Sequence, residues 1–129
     1  ERCLMVCSQY PLLSNTYNPN IVIEVTDEYT GYFGVLYEPL LEQMQTTYTE
    51  AYSLMGAETV DVSGEPSVIV GGKEYMYFSI VCDYGSYMTY QHIYLTLIGS
   101  YMLAVTHTYY QPEDEAIMDA FMQSIVYEL

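Results

Sequence analysis

Between Val68 and Tyr110 the chain is cut at intervals by pairs of turn-forming residues, and these cuts restrict what it can become. VIV is followed by Gly71-Gly72, KEYMYFSIVCDY by Gly85-Ser86, and MTYQHIYLTLI by Gly99-Ser100, and YMLAVTHTYY closes the series. Runs rich in Val, Ile, Thr and Tyr favour extended backbone, and short glycine turns join neighbouring strands antiparallel. The spacing predicts an antiparallel meander. A two-residue turn also fixes register. With Gly99 and Ser100 at the tip, Ile98 faces Tyr101, Thr96 faces Leu103, Tyr94 faces Val105 and His92 faces His107. One face then carries His92, Tyr94, Thr96, Ile98, Tyr101, Leu103, Val105 and His107. The other carries Ile93, Leu95, Leu97, Met102, Ala104 and Thr106. Both faces are largely apolar, so both need a cover.

Two helices on opposite sides, or one helix and the N-terminal segment, could provide it. Tyr37, Leu40, Leu41, Met44, Tyr48, Ala51, Tyr52 and Met55 recur every three or four residues, with Pro39 in the first turn and Gly56 at the C-terminal cap. Near the C-terminus, Pro112 followed by Glu113, Asp114 and Glu115 starts a second helix, because the positive end of the helix dipole favours acids. Its packed stripe is expected to be Ile117, Ala120, Phe121, Ser124 and Ile125. NIVIEV (20–25) reads as a further strand, CLMVC (3–7) as another, and TDEYTGYFG (26–34) as turns. Neither repeats nor low-complexity linkers break the sequence, so residues 1–129 are expected to form one α+β domain, an antiparallel meander packed between helices with a C-terminal helix.

With 51% apolar residues the chain can bury a core without needing a metal or disulfides to fold. It contains no apolar run of membrane-spanning length and no readable signal peptide. A start at Glu1 rather than Met is that expected of a trimmed product. Seventeen carboxylates face only Arg2 and Lys73, a formal charge of −15. Nucleic acid is excluded as a partner, since phosphate binding needs clustered Lys and Arg to release counterions. Anionic membrane surfaces are repelled for the same reason. The field favours a basic protein or peptide, or divalent cations. Seventeen tyrosines with no tryptophan add large, low-entropy side chains suited both to strand packing and to contact surfaces.

Chemistry-bearing motifs are few. Cys3 and Cys7, if on one strand, lie about 13 Å apart, too far for a disulfide. C-x₃-C without a second pair is not a zinc pattern, so Cys3, Cys7 and Cys82 read as buried thiols. Phosphate-binding, dinucleotide-binding, zincin, nucleophile-elbow and EF-hand motifs are missing. Register across Gly85-Ser86 sets Ser79 beside His92 and Thr89 beside Cys82, which puts Cys82 and His92 on opposite faces and disfavours a Cys-His dyad. Asp27-Glu28, Glu113-Asp114-Glu115 and the pair Asp61 and Glu65 read as turn and helix-start residues rather than paired catalytic acids. DVSGE, with a glycine turn between oxygen-bearing side chains, is a faint calcium hint. The remaining candidate is the metal pair His92 and His107, whose Cβ atoms should be about 5 Å apart and could share a zinc or copper ion. A third ligand would have to come from a carboxylate or cysteine on a neighbouring segment. The plainer expectation puts the pair at the open end of the hairpin, satisfied by Tyr90, Tyr109 and solvent. No cofactor other than such a metal is expected.

The order strand, long helix, meander and terminal helix, together with Tyr101 to Thr108 (YMLAVTHT) and Phe121 to Ile125 (FMQSI), resembles the PsbP-like family over roughly residues 20 to 127. These are relatives of the photosystem II oxygen-evolving subunit and include bacterial envelope lipoproteins. The resemblance implies a sheet packed between helices and a non-enzymatic role in binding, assembly or envelope maintenance in an exported protein. Two features depart from it. LMVCSQYP stands where the family has a strand ending in Pro-x-Trp, and Lys and Arg are almost absent. No ligand residue carries over, and Cys3 has no lipobox before it. The competing class is a carboxylate-dependent hydrolase with a pocket that carries no known motif.

Overall fold

The computed structural model describes residues 2–8, 18–26, 37–99 and 101–125. Among these residues, six strands form one antiparallel sheet: β1 (Arg2–Ser8), β2 (Asn20–Thr26), β3 (Thr59–Val70), β4 (Lys73–Asp83), β5 (Met88–Ile98) and β6 (Tyr101–Tyr109), in spatial order β1-β2-β6-β5-β4-β3. Helix α1 (Tyr37–Leu54) precedes β3, and a 3₁₀ turn (Pro112–Asp114) leads into α2 (Glu115–Ser124). This is the α+β architecture expected of the meander, with Gly71-Gly72 joining β3 to β4 so that Val70 pairs with Lys73. The Gly85-Ser86 and Gly99 turns join the next pairs. Ser79 lies opposite His92, Thr89 opposite Cys82, and every hairpin pair from Ile98–Tyr101 to His92–His107 is in the expected register.

Each sheet face has its own core. One contains Tyr37, Val62, Met76, Phe78, Ile80, Cys82, Ile93, Leu95 and Met102, with Leu40, Leu41, Met44, Tyr48 and Tyr52 of α1 packed on it. The other contains Ile21, Tyr75, Tyr94, Leu103, Val105 and Tyr109, covered by Met118 and Met122 of α2. The two helices therefore cover opposite faces, which explains why neither face of β5 or β6 alternates with polar residues. Helix α1 ends as its glycine requires. The Ala57 amide bonds the Tyr52 carbonyl at 2.9 Å and the Gly56 amide bonds Ser53 at 3.1 Å. Gly56 takes φ 105°, the left-handed conformation of a Schellman cap.

Four expectations need correction. The packed stripe of α2 is Met118, Phe121, Met122 and Ile125, whereas Ile117 is 65% exposed and Ala120 and Ser124 face solvent. Both stripes have helical spacing, and the helix is rotated so that the longer, adaptable methionines fill the gaps between tyrosines. At the end of α1, Ala51 and Met55 are exposed, while Tyr52 in the same turn packs on the sheet and donates its hydroxyl to the Gln91 side-chain oxygen at 2.8 Å. DVSGE is no turn. It lies inside β3, where Gly64 has a packing role: a Cβ there would sit 2.5 Å from the Tyr77 carbonyl oxygen and 3.0 Å from the Tyr37 hydroxyl. Its bareness lets Tyr37 cross the strand and stack on Phe78, ring centroids 5.5 Å apart. Finally, VIV is not a separate first strand but the end of β3, which starts at Thr59 and is kinked by a bulge between Glu65 and Val68.

Strand β3 is an edge, and it is blunted. Pro66 sits in the bulge, where a missing amide costs no ladder bond, and Gln45 of α1 donates its side-chain amide to the Val62 carbonyl at 3.1 Å. The turn-rich residues 27–34 fall outside the described residues. So do the side chains of Cys3 and Cys7, although β1 itself pairs with β2 and shifts register between Cys3 and Met5. Cys82 is a buried free thiol whose pKa is raised by burial. No helix among the described residues is long and apolar enough to cross a membrane.

Candidate functional site

The hairpin delivers His92 and His107 side by side on the α2 face. Their surroundings differ from the open, solvated end expected of them. His92 is 7% exposed and His107 is fully enclosed. The reason lies outside the hairpin: α2 starts just beyond Tyr109 and runs back across the sheet, so Phe121 comes to lie edge-on to the His107 ring at 6.0 Å. Tyr94 closes another side of His107, with ring centroids 5.5 Å apart. His92 stands edge-on to Tyr77 at 5.6 Å and to Tyr109 at 5.4 Å. Tyr90 does not reach either ring's nitrogens; it stacks on Tyr109 and offers its hydroxyl to the Met88 sulfur.

Hydrogen bonding is incomplete. The Tyr109 hydroxyl and His92 Nε2 are 3.1 Å apart, so that much of the expected satisfaction by tyrosine is present. His92 Nδ1 and both ring nitrogens of His107 are buried with no hydrogen-bond partner among the described residues. A buried polar atom without a partner costs on the order of 1–3 kcal/mol, so three around one pair need a physical account. Edge-on aromatic faces offer N–H···π contacts, which recover part of that cost.

Electrostatics keep the pair uncharged. Burial lowers the His107 pKa to about 4, with His92 as a lesser contributor. His92 is also lowered by burial, against an upward pull from the Glu115 and Asp119 carboxylates of α2. Burial likewise raises the phenols of Tyr94 and Tyr109. Both imidazoles are therefore neutral near pH 7, the state in which a ring nitrogen has a lone pair to give. Among the described residues no cluster of three or more His, Cys, Asp or Glu could hold a metal ion, so the carboxylate or cysteine that a zinc site would recruit is not at hand. Tyr77, Met118 and Phe121 were not foreseeable from the hairpin alone. Tyr109 was, because it follows His107 by two residues on the same face.

The site thus belongs to an α+β domain whose antiparallel sheet is clasped by one helix on each face, with two neutral histidines between sheet and C-terminal helix. No family model and no curated protein matches the chain. Among solved structures, the chain is similar to the Pseudomonas aeruginosa protein PA94, a protein of unknown function. The TM-score is 0.67 at 12% identity, over 97% of this chain and 83% of that one. At that identity the likeness establishes a shared fold. CalU16 from Micromonospora echinospora aligns with a TM-score of 0.35 at 8% identity, over 92% of this chain and 79% of that one.

Proposed function

We propose that the chain is a non-enzymatic binding domain that recognises a basic protein or peptide through its acidic, tyrosine-bearing surface. The PsbP-like resemblance supports placing it in an exported, envelope-associated protein. The observation that carries the reading is that every described Asp and Glu side chain is at least partly exposed. The negative charge of the described residues therefore stands on the surface rather than in a pocket. Such a surface attracts cationic partners at a distance and leaves cohesion to contact residues such as the half-exposed Tyr101. The hydrolase alternative needs one carboxyl in an apolar pocket, kept protonated beside an ionised partner. The described carboxylates, all at least partly exposed, do not supply that pairing, which is why the binding reading fits the geometry better.

Salt dependence separates charge from shape. A fluorescent lysine-rich peptide should bind at about 20 mM salt and lose on the order of tenfold in affinity by about 150 mM, where charges are screened beyond about 8 Å. Affinity unchanged over that range would contradict a charge-led partnership and leave the tyrosine surface as the contact.

A further inference from the structure

We propose that His92, His107 and Met118 form a buried site for a soft monovalent metal cation, Cu(I). The two imidazoles are opposed across β5 and β6, and three of their four ring nitrogens lack a hydrogen-bond partner although buried. The third ligand comes from α2. Phe121 touches the His107 ring, while Glu115 and Asp119 act on His92, so both histidines lie under the first two turns of the helix. Met118 is on the inward face of those turns, between these three residues in sequence, and is 4% exposed. Its thioether, in one buried cluster with Tyr94, Val105 and Tyr109 that flank the two histidines along β5 and β6, is the soft donor that α2 brings to this face.

The donor set selects the ion. Two neutral imidazoles and a thioether give low-coordinate nitrogen and sulfur ligation without a carboxylate, which suits Cu(I) and leaves zinc one ligand short of its usual four. Tyr109 supplies the orienting contact that metal-bound histidines generally have. With His92 Nε2–H donating to the Tyr109 oxygen at 3.1 Å, the Nδ1 lone pair is left free for the metal. A bound ion would also give partners to ring nitrogens that have none.

Cu(I) is diamagnetic, so the test can be read by nuclear magnetic resonance on the intact protein, anaerobically and with ascorbate as reductant. The first equivalent of Cu(I) should shift the Met118 methyl signal and the ring signals of both histidines, and should resist an equimolar bicinchoninate competitor. Met118→Leu, which conserves volume, should keep the fold's spectrum while weakening the metal about tenfold or more; Tyr109→Phe should weaken it less. His107→Phe, confirmed folded by its methyl spectrum, should abolish the histidine and Met118 shifts. If copper is held only by thiols, the Met118 and histidine signals will not move with the first equivalent, and the proposal fails. It fails equally if Met118→Leu binds with wild-type affinity. Neither outcome bears on the basic-partner reading, whose readout is salt-dependent peptide binding.

Discussion

Chelator-treated protein should lose about 3 kcal/mol of stability between pH 6.5 and pH 4, a loss that follows from the His107 pKa near 4 against an ordinary value of 6.5. The folded-state pKa lies below the unfolded one, so below pH 6.5 the unfolded chain takes up a proton that the native chain refuses. Stability is fully present above pH 6.5 and is lost as pH falls toward the folded value. His92, lowered in the same direction, adds to the fall. Relief is possible only if the ring reaches water, and Phe121 and the rest of α2 stand in the way, so acid should loosen α2 from the sheet. Urea denaturation at pH 7, 6, 5 and 4.5 reads the slope directly. His107→Phe keeps a ring between Tyr94 and Phe121 and removes the titrating nitrogens, so its stability should vary less over this window. A wild-type slope in that variant would place the acid sensitivity elsewhere.

Phe78→Ala should cost about 3–5 kcal/mol, a large share of what a domain of this size has to lose. Phe78 is fully enclosed, it stacks on Tyr37 of α1, and its strand neighbour Gly64 has no side chain to fall into the gap. The cavity would open under the N-terminal end of α1, so α1 should be the first element to lose amide protection in hydrogen exchange. Ile117→Ala, on the exposed side of α2, should change stability by less than about 0.5 kcal/mol. A urea midpoint for Phe78→Ala close to that of Ile117→Ala would contradict the packing of α1 on the sheet.

What could be read from the sequence was what local chemistry decides. Two-residue turns around Gly71, Gly85 and Gly99 fix hairpin register, so the pairing of His92 with His107 followed from counting outward from the tip. The Gly56 cap and the Tyr37 to Tyr52 stripe placed α1, because helical spacing and a left-handed glycine are local signals. Non-local choices were not legible. β2 could have joined either edge of the meander, and its place between β1 and β6 depends on pairing across some eighty residues of chain. The rotation of α2 was ambiguous because Ile117 and Met118 are both apolar, and only the tyrosine-lined face decides between them. The burial of the histidines hung on that rotation and on the helix's path, so the pair's position was readable while its environment was not.

The histidine pair is a buried, charge-free unit locked between sheet and α2. Nitrogen-15 shifts of the imidazole rings, followed from pH 8 downward in metal-free protein, test it most directly. His107 should remain neutral at pH 5.5, where an ordinary histidine is about nine-tenths protonated. It should take up its proton only as α2 loosens. A His107 ring that titrates freely with a midpoint near 6.5 while the fold stays intact would contradict the claim.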